Sequence, residues 1–163
     1  MRRAEEDDFH AYVSARLDRW RRTAYLLCQD WHTADDLVSI TVTKLYRHWR
    51  KVSAADNRDA YAQRVLSRTW LDESRRPSRR ERVQADLPEK GWSIPDRITD
   101  RDSLAQLLKA LGAKQRAVVV LRFYLDYSVE ETAAILGISV GTVKSQSARG
   151  LEILRAATLS PGQ

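Results

Sequence analysis

Along residues 8–76 apolar side chains recur every three or four positions. Phe9, Tyr12, Val13, Leu17 and Trp20 come first, with polar and basic residues between them. A repeat near 3.6 residues gathers such side chains on one side of a helix, so the spacing predicts a helix from about Asp8. A second helix is expected from about Arg22 to Asp30. Trp31-His32-Thr33 then reads as a corner, with Thr33 capping a helix that begins at Ala34. Asp35 and Asp36 fall in its first turn, where the helix dipole favours negative charge. Val38, Val42, Leu45, Tyr46 and Trp49 form the expected core stripe of that helix, and Asp36, Leu37, Ile40, Lys44 and Arg47 its other side. A polar break over 53–57 leads into a helix from Arg58 to about Arg76, which Pro77 cannot continue.

Between Pro77 and Asp102 the periodicity is lost. Pro77, Pro88, Gly91 and Pro95 interrupt it, and Asp86–Asp102 carries five acidic residues against three basic ones. That is the composition of a linker, with Trp92 and Ile94 as its candidate docking points. Helical spacing resumes at Leu104, Leu107, Leu108 and Leu111, and a further helix is expected over Gln115–Tyr124. Val118-Val119-Val120 favours strand by propensity, but no second strand is available to pair with it, so helix is the expectation.

Ser128-Val129-Glu130-Glu131 is a capping box, in which a hydroxyl and a carboxylate three residues apart cap each other's backbone N–H. The helix it opens would end at Gly137, which has no Cβ to oppose positive φ, and Ser139 would cap the next. The spacing Ala133, Gly137, Val143 is that of a helix-turn-helix: a small residue at the crossing, a turn glycine, and an apolar side chain tucked behind the second helix. Val143, Ser147, Leu151 and Leu154 then face inward, and Gly141, Thr142, Lys144, Ser145 and Arg149 outward. Short residues near the helix start, with basic ones beside them, suit close entry into a major groove. An αα-hairpin with a merely solvated face would share the turn but has no need of this combination.

Composition narrows the function classes. The 163 residues hold 28 Lys and Arg against 22 Asp and Glu, a formal charge of +6 that favours a polyanionic partner. With 43% apolar residues and only six Gly and four Pro, an all-α fold is expected. Cys28 is the one cysteine, and a four-ligand zinc site would depend on the scattered His10, His32 and His48, so no metal and no cofactor is expected. The opening MRRAEEDDFH lacks the apolar core of a signal peptide, and no stretch approaches the ~20 apolar residues of a membrane span. A cytoplasmic chain is the expectation. Nothing in the sequence has the pattern of a glycine-rich phosphate loop, or of a nucleophile with its base, so no enzymatic activity is expected.

Arg58–Arg82 adds a second basic surface, with eight arginines against Asp59, Asp72, Glu73 and Glu81, and with Tyr61 and Trp70 interleaved. Guanidinium groups can contact phosphates while a ring holds an unstacked base, although a solvated basic helix with buried aromatics gives the same pattern.

Taken together, "ADDLVSITVTKLYRHWRKV" (34–52), "NRDAYAQRVLSRTWLDESRR" (57–76) and "LGAKQRAVVVLRFYLDYSVEETAAILGISVGTVKSQSARGLEILR" (111–155) resemble a sigma factor of the extracytoplasmic-function type, in the short actinobacterial SigE-like group of the sigma-70 family. The likeness covers nearly all of residues 9–157. It implies two small helical domains, sigma region two over 8–76 and sigma region four over 103–157, joined by a flexible linker over 77–102. It further implies a subunit of bacterial RNA polymerase that selects promoters. Asp35, Asp36, Leu37, Ile40 and Lys44 would dock on the core polymerase; the segment from about Trp49 to Asn57, with Arg58, Tyr61, Arg64, Arg68 and Trp70, would engage the melted minus-ten element of promoter DNA. Ser139, Gly141, Thr142, Lys144, Ser145 and Arg149, with Arg122, would serve the minus-thirty-five element. An anti-sigma protein is a further implied partner. Ser39, Ile40 and Thr69 depart from the residues expected of relatives at those places. The competing reading is a helix-turn-helix regulator that is no polymerase subunit, which would have no need of the region-two helices.

Overall fold

The computed structural model describes residues 2–76 and 101–159, so most of the expected linker lies outside the described residues. Every regular element among the described residues is helical. The first unit comprises α1 (Arg3–Ser14), α2 (Leu17–Cys28), α3 (Trp31–Arg47), the short α4 (Trp49–Ala54) and α5 (Arg58–Ser74). The second comprises α6 (Arg101–Leu108), α7 (Ala113–Val119) with a π-helical turn over Val120–Tyr124, α8 (Val129–Leu136) and α9 (Val140–Leu159).

Local chemistry sets several boundaries differently from the apolar rhythm. α1 starts before Phe9 because Glu5 and Glu6 sit in its first turn, where negative charge faces the exposed N–H groups. Thr33 is not the cap of α3. The Asp30 carboxylate accepts from the Thr33 backbone N–H at 2.9 Å and from the Thr33 hydroxyl at 2.6 Å, which starts the helix at Trp31. α2 likewise begins at Leu17 and ends at Cys28, followed by Gln29, whose φ of 69° turns the chain. Asn57 caps α5 through the Ala60 N–H, and Val118–Val120 is helical as expected.

The face of α3 is also rotated from its expected stripe. Thr33, Ala34, Leu37, Val38, Thr41 and Leu45 are its buried residues, whereas Tyr46 is 44% exposed. The break at His48 removes the reason for a stripe continuous into Trp49: α3 stops, α4 redirects the chain, and Trp49 enters the core from the new helix. Tyr46 stays near the rim, edge-on to Phe9 at 5.2 Å.

Tyr12, Trp20, Leu26, Leu27, Leu37, Leu45, Trp49, Leu66 and Trp70 fill the first unit. The same apolar cluster runs on into Leu108, Leu111, Ala117, Val119 and Val120 of the second. α2 packs on α6 and α7, and α5 packs on α8 and α7, so the two units share a core. A smaller cluster of Val118, Ala133 and Val143 holds the helix-turn-helix.

Candidate nucleic-acid interface

The helix-turn-helix is assembled by backbone capping. The Ser128 hydroxyl accepts from the Glu131 N–H at 3.0 Å, and a Glu131 carboxylate oxygen accepts from the Ser128 N–H at 2.8 Å. Gly137 closes α8 at φ 68°. The Ser139 hydroxyl then accepts from the Thr142 N–H at 3.0 Å and lies 2.8 Å from the Thr142 hydroxyl, which opens α9. Each cap is worth about 1 kcal/mol. Val143 is fully buried beneath the turn, with Ala133 at the crossing, as the spacing requires.

Above that anchor, Ser139, Gly141, Lys144, Ser145 and Arg149 are exposed and Thr142 is half-buried. The outward set expected from the sequence therefore forms one open surface, two cations beside small residues. Arg122 is turned inward: its Nη1 donates to the Tyr127 carbonyl at 2.6 Å, so here it braces the loop before α8.

The second basic surface is more divided. Arg64 is exposed and Tyr61 half-buried against the core. Arg58 reaches back from the start of α5 to the Ser53 carbonyl at 3.3 Å and to Asp8 at 3.4 Å, with its guanidinium 5.3 Å from the Trp49 ring centre. Arg68 donates to the Ile135 carbonyl at 3.0 Å and the Ala134 carbonyl at 3.3 Å. Trp70 is only 5% exposed. The apolar stem of α5 uses that ring for packing, and it is unavailable to a base in this arrangement.

The segment expected from about Trp49 to serve the minus-ten element adjoins the α3–α4 corner, where Tyr46, Arg47 and His48 had not been singled out. A cleft of about 520 Å³ is lined by Glu5, Tyr46, Arg47, His48, Trp49, Arg50 and Lys51. Arg47, Arg50 and Lys51 line it beside the exposed Tyr46, the combination of cation and ring that the sequence pattern predicts on α5. Reading Tyr46 as core hid it, and only the end of α3 at Arg47 reveals it.

On the far side of α3, Asp35 and Asp36 are exposed, and Asp35 pairs with Arg21 at 2.6 Å. Ile40 is half-buried, and the exposed Lys44 donates to the Thr69 hydroxyl at 2.9 Å. Leu37 departs from the expected set. It is 1% exposed, because it stands one turn from Ala34 and Thr41 on the buried side.

Two partly buried networks stiffen these surfaces. The Tyr12 hydroxyl donates to Asp59 at 2.8 Å, and the Arg16 guanidinium, stacked 3.8 Å over the Tyr12 ring, donates to the same oxygen at 2.6 Å. Burial pushes the Tyr12 hydroxyl well above the usual phenol range, and the hydrogen bond to Asp59 adds to this. Burial would raise the Asp59 carboxyl too, but the hydrogen bonds from Tyr12 and Arg16 outweigh it and hold it below the usual carboxylate range. The other network centres on Arg116, which donates to the carbonyls of Leu108 (3.0 Å), Leu111 (2.9 Å) and Leu27 (2.6 Å). Burial lowers it to about 10, which leaves it cationic at neutral pH. A lone arginine on a helix reads as a solvated position, so nothing in the sequence singled it out.

A helix-turn-helix with an open basic face, carried by a chain whose other helical unit presents a cationic cleft, defines a two-module DNA-binding protein. Comparison with known families sharpens that class: Sigma-70 region 2 matches residues 12–80 and Sigma-70, region 4 matches residues 101–154. The chain is 38% identical over 149 residues to the RNA polymerase sigma-E factor of Streptomyces coelicolor, covering 91% of this chain and 84% of that one. It is 32% identical to the ECF RNA polymerase sigma factor SigL of Mycobacterium tuberculosis, covering 82% of this chain and 79% of that one. The chain belongs to the sigma-70 family of RNA polymerase sigma factors, within its ECF group. Its fold is similar to that of the sigma factor RpoE of Bartonella quintana in complex with the anti-sigma factor NepR. There the TM-score is 0.73 at 25% identity, over 94% of this chain and 98% of that one. CnrH in complex with the cytosolic domain of CnrY shares the fold at a TM-score of 0.63 and 22% identity.

Proposed function

We propose that the chain directs promoter-specific initiation with a fixed division of labour among its surfaces. The open cationic face of α9 carries this reading: it reads the minus-thirty-five duplex in the major groove, Lys144 and Arg149 neutralising phosphates while Gly141 and Ser145 permit close approach. The α3–α4 cleft with Tyr46, together with Arg58, Tyr61 and Arg64 of α5, takes the unpaired minus-ten strand. Because that surface binds melted DNA better than duplex, binding shifts the duplex toward opening without covalent chemistry. The side of α3 bearing Asp35, Asp36, Ile40 and Lys44 docks on core polymerase.

The protein works in the cytoplasm, where polymerase and chromosome meet, and an anti-sigma partner restrains it. Support for that partner comes from the Bartonella quintana sigma factor, whose structure is a complex with one. A stand-alone regulator is disfavoured by the region-two match over 12–80, since such a protein needs no polymerase-docking unit.

The test adds the purified chain to core polymerase with genomic DNA fragments and sequences the starts of the transcripts. Discrete starts sharing upstream elements are expected, and Asp35→Lys with Asp36→Lys abolishes them while helicity is retained. Both carboxylates are exposed, and a surface pair such as Arg21–Asp35 contributes little to the fold. Unselective or absent initiation by the unaltered chain overturns the proposal.

A further inference from the structure

α1 carries four consecutive acids, Glu5, Glu6, Asp7 and Asp8, one turn after Arg2 and Arg3. The helix dipole accounts for acids in the first turn, but not for where two of them reach. Glu5 lines the α3–α4 cleft, with a carboxylate oxygen 3.9 Å from Arg50 Nε. Asp8, one turn further on, lies 3.4 Å from Arg58 at the start of α5. Residues three apart share one side of a helix, so α1 runs along the cationic surface and meets it at two points. The Glu5 oxygen nearest Arg50 is shielded from solvent yet accepts no hydrogen bond from any described residue. A carboxylate oxygen held dry without a donor is unfavourable, and nothing in the folding of α1 requires it. The Arg50 and Arg58 side chains remain 83% and 36% exposed, so the carboxylates border these cations without covering them.

We propose that Glu5 and Asp8 form an acidic rail beside the cationic strip, and that the rail makes this surface selective for one strand of DNA over two. The inference rests on the reading that the strip takes the unpaired minus-ten strand. A single strand can lay its one phosphate chain on Arg47, Arg50, Lys51 and Arg58 and turn a base toward Tyr46. In a duplex each phosphate chain is flanked on both sides by the other, about 6 Å away across the minor groove and about 12 Å across the major. Whichever groove faces α1, a seated duplex brings its second chain toward the rail. Those widths are comparable with the Debye length, about 10 Å at 0.1 M salt, so the repulsion is only partly screened. The rail therefore disfavours bound duplex more than bound single strand. Selectivity comes from what the surface repels as well as from what it attracts, and the difference favours the open state of the DNA.

Fluorescence anisotropy on the full chain tests this, with Lys144→Ala and Arg149→Ala in every sample so that α9 does not hold the duplex. The probes are a labelled single strand of about twelve bases and the same strand annealed to its complement. The parent prefers the single strand. Glu5→Gln with Asp8→Asn raises duplex affinity about threefold more than single-strand affinity, the effect of two charges felt by several phosphates at about 10 Å. Asp18→Asn with Asp126→Asn removes the same charge from exposed positions elsewhere and raises both affinities alike. A ratio of affinities unmoved by Glu5→Gln with Asp8→Asn overturns the rail, and so does an equal change of ratio in the control. Loss of single-strand affinity also overturns it, because the carboxylates would then serve to hold Arg50 and Arg58 in place for the strand. If the double variant loses helicity, Glu5→Gln and Asp8→Asn are read singly, each giving part of the shift. A parent with no preference for the single strand removes the minus-ten reading together with the rail. A parent that keeps the preference while the variants leave it unmoved removes the rail alone.

Discussion

A Cβ at Gly150 would stand 2.7 Å from Cγ2 of Val119, so α9 lies against α7 at a distance that only glycine permits. In an exposed helix, Gly→Ala stabilises by about 1 kcal/mol. Here the stiff, β-branched Val119 is 5% exposed and cannot swing away, and overpacking costs typically 1–3 kcal/mol. The second effect wins. Gly150→Ala should lower stability by about 1 kcal/mol in chemical denaturation, and the same substitution should cost less in a Val119→Ala background, where the clashing methyl is gone.

Lys144 and Arg149 stand exposed on the outer face of α9. Each phosphate contact releases condensed counterions and contributes about 0.9 to the slope of log K against log salt. Lys144→Ala with Arg149→Ala should weaken duplex binding and flatten that slope by about one to two, measured by fluorescence anisotropy across salt concentrations. A parallel line at lower affinity would show that these cations do not meet phosphates.

The aromatic residues divide between packing and recognition. Tyr46→Ala should reduce binding of a single-stranded promoter oligonucleotide by about 1–3 kcal/mol, the worth of one stacked base, with the melting temperature little changed. Trp70→Ala should do the reverse in kind, costing about 3–5 kcal/mol of stability because the ring is buried. Pairing thermal denaturation with a binding titration separates the two.

Asp59 titrates lower in the folded chain than its ordinary carboxylate value. Its contribution is therefore fully present above the unfolded value and disappears as the pH falls through the folded one. Asp59→Asn should be less stable than the unaltered chain at pH 7, with the gap shrinking below about pH 4. Urea denaturation at the two pH values checks this. The side chain is 44% exposed, so the difference should be modest.

The sequence was most legible where one residue type answers one backbone need. Ser128, Glu131, Gly137, Ser139 and Val143 define the helix-turn-helix by local rules, and all five occupy the expected roles. It was least legible where a position depends on which neighbour packs against it. Leu37 and Tyr46 exchanged sides because a stripe drawn through Trp49 assumed an unbroken α3. Trp70 and Tyr61 look alike in a basic run, and only the packing of α5 decides that one is buried. Arg116 was invisible for a related reason, since its partners are carbonyls at helix ends distant in sequence. The outer faces of α3 and α9 needed only the period, and there the charged residues stand where it placed them.

The apolar seam that joins Leu26 and Leu27 to Leu108 and Leu111 also bears on how the protein can be divided. Cut between residues 77 and 100, each half would present a greasy flank to water and tend to clump when made alone. Mixed together, the halves have a ready-made surface on which to reunite, so the covalent connection sets how readily the halves meet more than whether they fit.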